Sequence, residues 1–93
     1  MTPAELAAAS TLPADLTPEA EALWHARHGS WESAHNIAQD IPTKLGSWIH
    51  ALLHVIEGDQ WNADYWFAKA GRPSRGPKEV DALWQEIAAT ILK

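Results

Sequence analysis

The chain predicts an all-α fold: a short antiparallel helical array of two helix hairpins with a C-terminal capping helix. Three observations carry this. Apolar residues recur with a 3.6-residue period, most plainly at Leu45, Trp48, Ile49, Leu52, Leu53 and Ile56, and no stretch alternates as a strand does. Helix start and stop signals punctuate the chain, with Thr-Pro pairs at starts and Gly29, Gly58 and Gly71 at ends. Two stretches 29 residues apart also read as copies: Ala22-Leu23-Trp24-His25-Ala26-Arg27-His28-Gly29 aligns with Ala51-Leu52-Leu53-His54-Val55-Ile56-Glu57-Gly58, and Ala34 falls opposite Ala63. Repeats of this period signal stacked helical hairpins.

With 93 residues the chain is one domain, 1–93. Residues 1–16 form an N-terminal arm whose short helix starts at Thr2-Pro3-Ala4-Glu5, with Pro3 in the first helical position and Glu5 closing a capping box. The first hairpin spans 18–41. Its first helix runs from Pro18 to His28 and ends at Gly29; its second is capped by Ser30, carries Trp31, Ala34, Ile37, Ala38 and Ile41 at helical spacing, and stops at Pro42. The second hairpin spans 43–71. It opens after the turn at Thr43 with the Leu45–Ile56 stripe, breaks at Gly58, restarts with Asp59 as cap and stops at Gly71. Arg72-Pro73-Ser74-Arg75-Gly76-Pro77 is a loop. The capping helix, 77–92, carries Val80, Leu83, Trp84, Ile87 and Ile91 on one face.

Gly58-Asp59, Ala63, Phe67 and Ala70 resemble the second half of a tetratricopeptide repeat, and Gly29, Trp31 and Ala34 match it less completely. Each copy is about five residues shorter than the usual 34 of that family. The resemblance covers Pro18 to Gly71 and implies that the first helices of the two hairpins lie side by side, with a concave surface suited to a protein or peptide partner or to a second copy in a homodimer. The segment from Trp48 to Arg72 is also similar to short hypothetical proteins with no assigned activity, which implies no function.

Twelve acidic against seven basic side chains give a net charge of -5, which argues against a nucleic-acid partner. Lys69, Arg72, Arg75 and Lys78 form a basic cluster in and around a loop and read as a solvated turn. The absence of cysteine excludes disulfides, cysteine-ligated zinc, iron–sulfur clusters and a thiol nucleophile. No signal-peptide pattern opens the chain and no apolar run reaches membrane-spanning length, so a cytoplasmic protein without a membrane partner is expected. Six tryptophans supply apolar area, each burying on the order of 200 Å².

The chemical lead is histidine. His50, His54 and Glu57 share one helix face, expected to point away from the apolar stripe, and Glu21, His25 and His28 repeat the spacing. Were the two faces to meet, His25, His28, His50, His54 and Glu57 would form a candidate site for a divalent transition metal, or supply acid–base groups for metal-dependent hydrolysis. No His-Glu-x-x-His motif supports this. The competing reading is a solvated polar face duplicated with the repeat, with a histidine beside Trp24 merely packing its ring. His35, alone on its helix, reads as a surface or hydrogen-bonding residue.

The helix after Asp59 is apolar on two sides. Ala63, Trp66, Phe67 and Ala70 face the core, and the capping helix is expected to cover Trp61, Tyr65 and Ala68 through Leu83 and Trp84. Left uncovered, Trp61 and Tyr65 line a partner surface with Asn62, Asp64 and Asp59 as its polar groups, or a small-ligand pocket together with Trp24. The leading expectation is a non-catalytic interaction module for a protein or peptide. The metal-binding or hydrolytic protein and the small-ligand binder are its alternatives.

Overall fold

The computed structural model describes residues 1–92; Lys93, the last residue of the expected domain, lies outside them. The described residues are all-helical, as the periodicity predicts. The helices are α1 (Pro3–Ala8), α2 (Pro18–Arg27), α3 (Trp31–Gln39), α4 (Lys44–Glu57), α5 (Gln60–Ala70) and α6 (Val80–Ile91), the last entered through a 3₁₀ turn at Pro77–Glu79.

Local chemistry accounts for the boundaries. The side chains of Thr2, Thr17, Thr43 and Asp59 accept from the amides of Glu5, Ala20, Gly46 and Asn62, satisfying donors that an open helix end would leave orphaned. Glu5 returns the bond to the Thr2 amide and completes the capping box. Gly58 closes α4 with φ 88°, a left-handed conformation that strains any side chain. Ser30 departs from expectation: it precedes α3 but makes no side-chain cap bond. Its backbone is held outside the extended region, at φ -97° and ψ 65°, where its amide donates to the His25 carbonyl at 2.9 Å. Asp59 has a similar backbone but a side chain one atom longer, and its carboxylate reaches.

α4 is the axis of the molecule. It packs against α2, α3, α5 and α6, so both the apolar stripe and the opposite side are covered. The α2–α3 and α4–α5 pairs recur at the spacing of the repeat; Leu23 and Leu52 are fully buried at equivalent places, as are Ala34 and Ala63. Ile56, expected on the buried stripe, is exposed at the end of α4.

Three indole N–H groups tie the helices together, each meeting a backbone carbonyl as a buried indole requires. Trp24 donates to Ala9 at 3.0 Å and holds the N-terminal arm. Trp31 donates to Leu53 at 2.7 Å and pins α3 to α4. Trp84 donates to Leu23 at 2.8 Å and pins α6 to α2. α6 thus packs on α2 and α4 rather than on α5, and the expected cover over Trp61 and Tyr65 does not form.

The basic loop is held from within. The Arg75 guanidinium bonds Glu79 at 2.7 Å and Glu86 at 2.6 Å, and that of Arg72 lies over the Trp48 ring at 3.9 Å. No described helix is long and apolar enough to cross a membrane.

Candidate metal centre

The histidines that converge are His35, His50 and His54. His50 and His54 lie one turn apart on α4, on the side that α3 and α5 cover. Each is only 6% exposed. The reading of this face as a solvated one is therefore corrected: it is a helix–helix interface. His35 comes from the middle of α3 and meets His50 edge-to-face at 4.5 Å between ring centroids. His50 and His54 stack at 4.9 Å.

Two tryptophans bracket the imidazoles. Trp66 of α5 lies parallel on His50 at 3.9 Å, and Trp31, one turn before His35 on α3, stacks on it at 4.8 Å. The turn from α3 into α4 packs tightly at Gly46, where a Cβ would stand 2.7 Å from Ile41 Cβ and 2.8 Å from its Cγ2. Only glycine lets the first turn of α4 lie against Ile41 in the turn that leaves α3.

Burial sets the protonation of the cluster. It pushes His50 down to about 4, with the neighbouring His35 and His54 imidazoles adding to the shift. His35 is lowered by the same cause, then by His54, against an opposing pull from Glu57. Both rings are therefore neutral at pH 7 and keep lone pairs. His54 is held differently: its Nδ1 lies 2.5 Å from Glu57 Oε1 at the exposed end of α4.

Two donor sets come within reach of a single ion among the described residues, His35–His50–His54 and His54–Glu57–Asp59. Within each set, one ligand atom per residue lies within 4.8 Å of the others. The first set is buried and all-nitrogen; the second is mixed and mostly exposed. Asp59 of the second set already accepts the Asn62 amide at 3.2 Å as the cap of α5.

His25 and His28 join neither set. His28 stacks on Trp24 of its own helix at 4.3 Å, His25 meets the same ring edge-on at 5.3 Å, and His25 Nε2 lies 3.9 Å from Glu21. The expected convergence of the two histidine faces does not occur, because the imidazole side of α4 turns onto α3 and α5 while that of α2 folds over Trp24.

The expected aromatic pocket does not close either. Trp24 is engaged with Ala9 and its neighbouring histidines, whereas Trp61 and Tyr65 are 85% and 54% exposed on the outer side of α5. Asn62 is half-buried. Asp64 is exposed and bonds Gln60 and Ser74, which hold its carboxyl below the usual range, Ser74 most strongly. A cleft of about 680 Å³ lies elsewhere, between α2 and the end of α3, with Glu19, Glu21 and Asp40 on its wall and no imidazole.

Reading residues in order along each helix misses His35, Trp31 and Trp66. The available signal was α4 itself, whose few polar residues interrupt an apolar sequence; a helix apolar on so much of its surface is enclosed, and its histidines with it. No known family, curated protein or solved structure matches the chain, so its class rests on the geometry of this centre.

Proposed function

We propose that this chain is a small helical metal-binding protein that holds a divalent transition-metal ion between α3 and α4 through His35, His50 and His54. The observation that carries this reading is the placement of three imidazole nitrogens, from two helices, within 4.8 Å of one another. A tetrahedral ion about 2.0–2.1 Å from each nitrogen needs them roughly 3.4 Å apart. Small side-chain rotations cover the difference. Imidazole suits zinc, copper, nickel and iron, and the lowered His35 and His50 rings offer lone pairs at neutral pH without first losing a proton.

The test is elemental analysis of untagged protein after zinc loading and gel filtration. Near-stoichiometric zinc is expected in the wild type, with loss in His50→Ala and in His35→Ala. His35 is the less buried of the two, so its variant is the one expected to stay folded, which circular dichroism would check. Protein that leaves the column without zinc overturns the reading.

A second reading, the helical interaction module, is favoured by Trp61. Bulky aromatic groups anchor interfaces, and this one stands in water on the same face as Tyr65 one turn on. Its ligand would be a protein or peptide, or a second copy.

A further inference from the structure

We infer that Glu57 is a positioning residue for the metal centre and not one of its ligands: by accepting from Nδ1 of His54 it leaves Nε2 as the nitrogen that faces the ion. This rests on the metal-binding reading and decides between the two donor sets that share His54. Glu57 Oε1 and His54 Nδ1 are 2.5 Å apart, a side-chain pair three residues apart on one helix. A carboxylate only accepts, so the proton between them belongs to Nδ1, and the tautomer this contact selects carries its lone pair on Nε2. His54 is buried while Glu57 stands at the rim, and the contact therefore locks an interior ring from outside. The same bond withdraws Nδ1 from the exposed set. There Asp59 already gives one carboxylate oxygen to the cap of α5 and the set lies open to water, so the more buried set is the one the geometry favours. Metal-ligating histidines commonly carry such an outer carboxylate, which fixes the tautomer and raises the basicity of the ring.

The experiment uses the full chain, with Glu57→Gln and Glu57→Ala. Long-range ¹H–¹⁵N correlation on the metal-free wild type reads the tautomer directly. His54 is expected as the Nδ1–H form, and Glu57→Ala shifts the population toward Nε2–H. Cobalt(II) titration then reads the ion. A positioning role lowers affinity by roughly 10–100-fold in either variant and leaves the positions of the cobalt ligand-field bands unchanged. Shifted bands in Glu57→Gln would make Glu57 a ligand and overturn the inference. So would an Nε2–H His54 in the wild type, or unchanged affinity in both variants. Should the wild type bind no cobalt or zinc, the functional proposal fails by itself. The tautomer measurement then decides the Glu57–His54 relationship alone: Nδ1–H upholds it and Nε2–H ends it.

Discussion

The Trp66 ring lies flat on that of His50, with centroids 3.9 Å apart and planes within 13° of parallel. The contact joins α5 to α4 and closes the imidazole cluster on one side. It makes a core packing element of a residue whose chemistry is polar.

Removing that wall has two expected consequences. Trp66→Ala loses a large half-buried ring and lowers stability by about 2–3 kcal/mol, measured by urea unfolding. Opening His50 to water also raises its pKa toward the ordinary histidine value, read from the ring-proton shift in an NMR pH titration. An unmoved His50 titration in this variant would show that α3, not α5, keeps water from the ring.

Stability should depend on pH through His50. In the unfolded chain the imidazole takes a proton near pH 6.5, and in the folded protein only near about 4. The unfolded state therefore binds the proton first. The contribution is fully present above about 6.5, declines as pH falls, and is gone below about 4. His35 from α3 and His54 from α4 face this ring, while α5 presents the uncharged Trp66. The loss amounts to roughly 3 kcal/mol across the window. Urea unfolding of wild type and His50→Gln at pH 7.5 and 4.5 isolates it; equal pH dependence in the two proteins would remove His50 as the cause.

Gly46 is expected to tolerate substitution poorly although it lies inside a helix. Alanine gains about 1 kcal/mol of helix propensity over glycine. The new methyl group, however, meets Ile41 below any ordinary contact distance and against its backbone oxygen as well. Gly46→Ala should be net destabilising by about 1–2 kcal/mol by chemical denaturation. Because it disturbs the turn that joins α3 to α4, it should also weaken zinc binding without touching a ligand. A stabilised variant would show that the end of α3 yields.

Trp61 offers the opposite case. With 85% of its surface in water, Trp61→Ala should leave the unfolding free energy within about 0.5 kcal/mol. Zinc uptake should also be unchanged, since neither donor set contains the residue. If α5 carries an interface, this variant loses it while remaining folded. Sedimentation of wild type and variant at matched concentration reads self-association, and identical behaviour excludes Trp61 as a self-association contact.

Much of the helical framework was legible because it is local. Thr17-Pro18, Thr43 and Asp59 start helices through bonds made within one turn, and Gly58 and Gly71 end them through a backbone conformation other residues avoid. Ser30 failed because, on the backbone that the turn closing α2 gives it, its hydroxyl is one atom too short to reach, whereas the Asp59 carboxylate on a similar backbone does. The imidazole cluster was legible only by half. His50 and His54 stand out by spacing on one helix, but His35 is isolated on another, and nothing along the chain says that the two helices meet there.

By itself, then, the sequence determined the fold class, the order of the helices and many of their ends, the lack of any cysteine chemistry and the shared face of His50, His54 and Glu57. Those are consequences of covalent spacing, at most a turn or two long. The tertiary structure decided which histidines share a site, that α6 covers α2 and α4 instead of Trp61, and that the polar side of α4 is interior. The physical reason is that α4 is surrounded: once α3 and α5 close over it, burial and ring stacking convert a polar helix face into three imidazoles held together between helices.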